Sequence, residues 1–254
     1  MTAGRTVIKY ANVFADGYDL TGYSRTFGPL TWSYTEADAT TIGDSVKNAL
    51  PDVATVNVGA ISAVLDNTTN ASHDRLNGQR TSTILIPIGG RAAPAQGDPC
   101  FQGVFMQKEF TTMPNTGNAV TISANYSGWA GEASSLLYSN PWGWLLAPKS
   151  ARTTINSAIG IDDYGAATAK GGFMCYQLFT SNGTVNMKVQ DAATNTDVSF
   201  ADLAASGLVT AAVTPTAGIV ALSPTATVRR YLRWQMTLGT ATTATFAIGF
   251  VRAF

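Results

Sequence analysis

Along most of the chain apolar and polar residues alternate one by one, the period of a strand with one buried face. In Val185-Asn186-Met187-Lys188-Val189-Gln190 the apolar residues fall on one side and the polar ones on the other. Val120, Ile122, Ala124 and Tyr126 alternate with Thr121, Ser123 and Asn125 in the same way. Leu232, Trp234, Met236 and Leu238 share a face opposite Arg233, Gln235 and Thr237. In the last run Phe246, Ile248 and Phe250 point one way and Ala247 and Gly249 the other. That second, small-residue face admits another backbone or another subunit at close range. Further strands are predicted over residues 6–13, 30–34, 54–65, 83–88, 102–110 and 172–180. Asp16-Gly17, Gly28-Pro29, Gly89-Gly90, the stretch 114–118, Ser181-Asn182-Gly183 and Gly239 supply the turns between them.

Helix is predicted over 70–77, which opens on capping-type residues and stops at Gly78; the stretch 40–50, ended by Pro51, reads equally as a weaker helix or as an ordered loop. The pattern therefore describes a mainly β chain, built as a β-sandwich or barrel with one short helix over residues 1–150. A second, small, all-β sandwich-like unit follows over 151–254. The boundary is set near residue 150 because Pro141-Trp142-Gly143-Trp144-Leu145-Leu146-Ala147-Pro148 breaks the alternation. The alternative, one core shared by both units, stays open.

Composition changes this picture in one respect. Charged residues make up 13% of the chain against 45% hydrophobic, and 16 Lys+Arg offset 16 Asp+Glu. A free soluble monomer usually carries more charge, so a neutral, charge-poor surface suits a protein that hides much of itself in contacts. A bland monomer surface is the other reading. Zero net charge argues against a protein that holds nucleic acid by its basic field, since such binding rests on clustered Lys and Arg. The one basic run is Arg229-Arg230-Tyr231-Leu232-Arg233. Cys100 and Cys175 lie far apart in apolar surroundings and are expected as buried, reduced thiols. The first residues lead into no apolar signal core and no run approaches the about 20 apolar residues of a membrane span, so a soluble chain without a secretion signal is expected.

Catalytic patterns fare poorly. Ile42-Gly43-Asp44-Ser45-Val46 resembles the Gly-Asp-Ser-Leu block of a family of serine esterases, with Ser45 as the nucleophile. That chemistry needs a histidine base near the C-terminus, and the one histidine of the sequence is His73. His73 with two distant cysteines offers no zinc pattern and reads as a polar helix-surface residue. Glu36, Glu109 and Glu132 have no spacing motif that would pair them for glycoside hydrolysis, and no phosphate loop is present. No catalytic residue, cofactor or metal site is expected. Trp142 and Trp144 suit either a sugar-stacking platform or, preferably, a plug between the two β units.

In order, Asp19-Leu20-Thr21-Gly22-Tyr23, Phe27-Gly28-Pro29-Leu30 and Asp38-Ala39-Thr40-Thr41-Ile42-Gly43-Asp44-Ser45 give the first half its character. Gly97-Asp98-Pro99-Cys100-Phe101 then precedes a hairpin. Read together, these pieces resemble a siphophage major tail tube protein. The second half is similar to an all-β unit that often follows in phage structural proteins. Its markers are Gly165-Ala166-Ala167-Thr168-Ala169, Val189-Gln190-Asp191, Phe200-Ala201-Asp202-Leu203, Arg230-Tyr231-Leu232-Arg233 and Thr245-Phe246-Ala247-Ile248-Gly249-Phe250. One departure is Asn48-Ala49-Leu50-Pro51-Asp52-Val53, where many relatives carry a basic residue and a Gly-Leu pair.

The resemblance implies a non-enzymatic virion protein that assembles with copies of itself into rings, hexameric in the family's pattern. The rings stack into a tail tube through which the genome is ejected. It implies a loop over 36–52 that reaches neighbouring subunits, with Glu36, Asp38, Thr41, Gly43, Asp44 and Lys47 as contact residues. The implied partners are the chain itself and other tail proteins such as a tape measure and a tail terminator. Genomic DNA would cross the lumen without specific binding, and no membrane is involved. The implied location is the phage tail, after synthesis in the bacterial host cytoplasm. A capsid decoration or head-fibre protein and a carbohydrate-binding phage adhesin are the alternatives.

Overall fold

The computed structural model of the chain describes residues 10–42, 45–47, 49–78, 80–90, 92–113, 119–128, 140–153, 160–162 and 166–253. Two short strands, β1 (Phe14–Ala15) and β2 (Tyr18–Asp19), meet at the turn Asp16-Gly17. β3 (Ser24–Phe27) precedes a long hairpin of β4 (Leu30–Asp38) and β5 (Ala49–Val64). The short helix α1 (Ser72–Leu76) leads into β6 (Thr81–Pro87), β7 (Pro99–Met113) and β8 (Thr121–Ser127). β9 (Trp142–Arg152), β10 (Ile161–Asp162), β11 (Gly172–Ser181) and β12 (Thr184–Ala192) come next. β13 (Ala201–Ala205), β14 (Val209–Thr210), β15 (Thr216–Ala221), β16 (Tyr231–Leu238) and β17 (Ala244–Arg252) complete the chain, which is mainly β as its pattern predicts.

Twelve strands form one antiparallel sheet, with the path β15-β11-β17-β9-β7-β6-β1-β2 and with β8, β5, β4 and β3 branching from β7. Four strands separate β1 from β11 on that path, yet the rings of Phe14 and Phe179 meet edge to face at 5.0 Å. The sheet must therefore curl into a half-barrel. Gln177 fastens the meeting edges: its amide oxygen accepts from the Gly17 N–H at 2.6 Å and its amide nitrogen donates to the Thr83 carbonyl at 2.9 Å. Gly17 sits at φ +83°, and a Cβ there would lie 2.6 Å from the Thr216 nitrogen, so both the turn and the seam require glycine.

Alternation sorts the side chains of this sheet onto two faces. Phe14, Leu85, Cys100, Leu145, Phe173, Cys175 and Val251 fill the inside of the curl. On the outside, Ile84, Ile86, Phe101 and Phe105 pack against Val58 and Ile61 of β5 and Ile122 and Tyr126 of β8. Farther along, Met174, Leu178, Phe246, Ile248 and Phe250 pack against a second, five-stranded sheet of β10, β16, β12, β13 and β14. Val185, Met187, Val189, Leu232, Trp234 and Met236 supply that sheet's inner face, as their alternation predicts. Two of the points where the chain changes sheets, β11 to β12 and β16 to β17, lie side by side, and there Thr184 and Thr240 hydrogen-bond each other's backbone N–H.

Three local expectations differ from the structure. The segment that breaks the alternation is the strand β9, paired with β7 on one side and β17 on the other. Up to Ala147 it is covered on both faces, so that part reads as a continuous apolar run instead of an alternating one. Its Trp142 packs edge-on against Phe101 at 5.2 Å, and Trp144 is half-buried against the core between the two sheets. Second, the face of Ala247 and Gly249 turns inside the curl, where a Cβ on Gly249 would meet the Gln102 side chain, so the close approach there is internal. Third, the described part of 40–50 is a hairpin tip, not a helix. The helix over 70–77 is present but shorter, and Ser72 braces it from within by accepting from the Asp66 N–H and donating to the Val64 carbonyl.

Gly143 marks where β9 and β17 lie too close for any side chain. A Cβ there would stand 2.1 Å from the Phe250 carbonyl oxygen and 2.8 Å from its carbon, both backbone atoms that cannot swing aside. Gly143→Ala is expected to cost about 3 kcal/mol, the upper end of ordinary overpacking. The urea midpoint reads this directly, and a midpoint equal to wild type would refute the placement of β9.

Cys100 and Cys175 are both free and buried, as expected. Burial pushes both thiols up, and it pushes the Tyr126 phenol up to about 12 from 10.0. Each group is an acid whose folded pKa exceeds its unfolded one, so its stabilisation is complete below the unfolded pKa and is lost above it. The urea midpoint should stay flat up to the ordinary thiol pKa of 9.0 and fall steeply beyond it. Tyr126 alone accounts for roughly 3 kcal/mol by about pH 12, at about 1.4 kcal/mol per unit. In Tyr126→Phe the decline above pH 10.0 should be shallower; an unchanged slope would contradict it.

Candidate assembly surface

The β4–β5 hairpin outgrows the core that supports its root. Leu30 and Trp32 rest against the cluster of Val58, Ile61 and Phe101, and there the apolar support ends. From Ser33 to Leu50 every described side chain is exposed except the half-buried Ala39. Yet β4 and β5 stay paired through Tyr34↔Ala54, Glu36↔Pro51 and Asp38↔Ala49. The other neighbours of β5 leave it early, since β8 pairs with it only from Asn57 and β3 only around Ile61–Ala63. The result is a two-stranded ribbon with both long edges open among the described strands.

Such a ribbon is poorly supported by itself, because two isolated strands are marginal in water and an open edge is a template for pairing. Its side chains sharpen the point. Tyr34, Ile42, Val46 and Leu50 are 46%, 108%, 76% and 57% exposed, half of the large exposed apolar side chains among the described residues. A concentration of bare apolar groups on a projecting element marks an interaction surface.

The polar residues shape the ribbon without burying it. Thr40 donates to Asp38 from its backbone N–H at 2.9 Å and from its side chain, which holds the Asp38 carboxyl below the usual carboxylate range. Lys47 reaches Glu36 at 3.5 Å, an exposed pair that stiffens the ribbon little. Thr41 is exposed at the tip, beside Ile42. Glu36, Asp38, Thr41 and Lys47 are thus gathered on one element, while Gly43 and Asp44 lie outside the described residues. Tyr34, Ile42, Val46 and Leu50 were not among the predicted contact residues, although apolar residues scattered through a polar hairpin tip are a readable signal.

Among solved structures, the chain is similar to the SPP1 Dit protein, described as a paradigm of the hub adsorption apparatus in phages that infect Gram-positive bacteria. The two are 14% identical with a TM-score of 0.33. The match covers 96% of this chain and 99% of that one. No family profile and no curated protein matches the sequence.

The other residues weighed for chemistry lie apart. Ser45 is exposed on the ribbon tip, whereas His73 sits on α1, half-buried and edge-on to Phe110 at 6.1 Å. Glu109 accepts from the Asn125 amide at 2.8 Å, and Glu132 lies outside the described residues. Among the described residues no three His, Cys, Asp or Glu side chains come together as a metal site, and no helix is long and apolar enough to cross a membrane.

Proposed function

We propose that this chain is a non-enzymatic structural protein of a phage tail, which assembles with copies of itself into hexameric rings that stack into the tail tube. The observation that carries the proposal is the projecting ribbon, paired only to itself among the described strands, with Tyr34, Ile42, Val46 and Leu50 bare along it. A subunit that offers a projecting arm on one side and a receiving face on the other makes a heterologous contact, and such contacts close into rings when the rotation allows. Pairing or covering the ribbon edges in the ring would remove the edge hazard that a lone subunit carries. The scarcity of charge suits a subunit buried on several sides, and a balanced charge suits a lumen that passes DNA without gripping it. Tape measure and tail terminator proteins are the further partners of this proposal.

Sedimentation velocity across a range of concentrations tests it. Ring-sized species and larger stacks that grow with concentration are the expected result. Discrete trimers would favour a capsid decoration or head-fibre protein instead. Monomers at every concentration would remove the reading, and monomers that bind glycans would replace it with an adhesin.

A further inference from the structure

We infer that the ribbon of one copy docks on a second copy at a cavity beside Arg80, Gln107 and Lys108. This inference rests on the assembly reading above and names the receiving site.

The cavity measures about 380 Å³ and is lined by Arg80, Thr81, Met106, Gln107 and Lys108. It lies where β6 begins and β7 leaves it, with Thr81 opposite Met106. Gln107 is 2% exposed; its amide nitrogen donates to the Leu76 carbonyl at 2.6 Å, and its amide oxygen has no partner. The Nε and one Nη of Arg80 are likewise buried without an acceptor. Buried polar groups are nearly always satisfied in a finished structure, so a cluster of such atoms around one opening points to an absent ligand. Arg80 and Lys108 make the opening cationic, and neither forms an ion pair with a described carboxylate. Met106, 55% exposed, adds an apolar rim.

The ribbon is complementary to the cationic opening and to its apolar rim. Residues 33–53 carry Glu36, Asp38, Asp44 and Asp52 against the single cation Lys47. Carboxylates suit the Arg80 fork and the Lys108 ammonium, while Ile42 and Val46 suit the Met106 rim. The ribbon cannot serve its own cavity. Met106 shares a sheet row with Ser127 and Asn57, and Leu50 lies beyond Asn57 along a paired strand. At about 3.3 Å per residue that separation is roughly 23 Å, directed away along the strand. A second copy must supply the arm.

Charge exchange tests the docking in the full-length chain. Lys108→Glu changes an exposed side chain of the cavity, and Glu36→Lys with Asp38→Lys changes the arm; circular dichroism verifies that each variant is folded. Each variant alone is expected to assemble at least about tenfold less well than wild type at low salt. A mixture of the two should regain assembly, because each reversed arm then meets a reversed cavity. If Lys108→Glu assembles like wild type while the arm variant does not, the cavity is the wrong receiving face although the assembly reading stands. The cavity is excluded in the same way if inorganic phosphate binds it in the wild-type chain and assembly ignores Lys108→Glu. A wild-type chain that never assembles would overturn the assembly reading and the docking together.

Discussion

A chain in which residues 36–52 are replaced by a two-residue turn should remain folded, β-rich and monomeric at concentrations where the intact protein assembles. The shortening removes Ile42, Val46 and Leu50, which touch none of the cores, so folding loses little. Assembly loses much. Burying one such side chain contributes about 1.5–3 kcal/mol, so three contribute upwards of about 4 kcal/mol per contact. That corresponds to at least about a thousandfold in association at each interface. A ring multiplies the loss, because every subunit makes the contact once as donor and once as acceptor. Light scattering or sedimentation reads the outcome. Assembly at the wild-type concentration would show that the ribbon is a surface ornament.

The second large effect is expected inside the fold, at Arg252. This guanidinium is 2% exposed at the end of β17. It donates to the Ala166 carbonyl at 2.6 Å, to the Val228 carbonyl at 3.1 Å and to the Arg229 carbonyl. Those acceptors lie in the connections around the backbone bridge of Thr168 and Val228, so a single cation ties the last strand of the large sheet to the loops that feed the small one. Arg252→Met keeps much of the volume and removes every donor. Hydrogen bonds to a charged group are worth about 1.5–3 kcal/mol, and acceptors left buried add a desolvation cost, so a loss of about 3–5 kcal/mol is expected. For a chain of this size that lowers the melting temperature by roughly 10 °C. A shift below about 2 °C would mean that the three carbonyls find other donors.

Alternation along the sequence was a good guide wherever one face of a strand is covered and the other is not. β8, β12 and β16 place Ile122, Val185, Met187, Leu232 and Trp234 inward as their spacing predicts. It fails for β9 up to Ala147, since a strand covered on both faces has no polar side to alternate with. It also misassigns the Ala247 and Gly249 face, because a curl that brings β11 back to β1 depends on contacts far apart in sequence. The seam residue Gln177 lies 160 positions from Gly17, a pairing that no local pattern announces. The candidate surface was legible in part. Glu36, Asp38, Thr41 and Lys47 stand out as polar residues between two strands, and they do share the ribbon. Ile42 and Val46 were readable as apolar residues in a polar hairpin tip, but the extent of their exposure was not, because it follows from where the supporting cores stop. The cavity at Arg80 and Gln107 had no signal at all, since an unpartnered buried amide is defined only by its surroundings.

Negative-stain microscopy of the purified full-length chain, concentrated under low salt, puts self-assembly to the most direct test. The account predicts closed rings viewed end-on and stacks of them viewed from the side, absent from the preparation shortened over 36–52. Dispersed single particles in both preparations would contradict it.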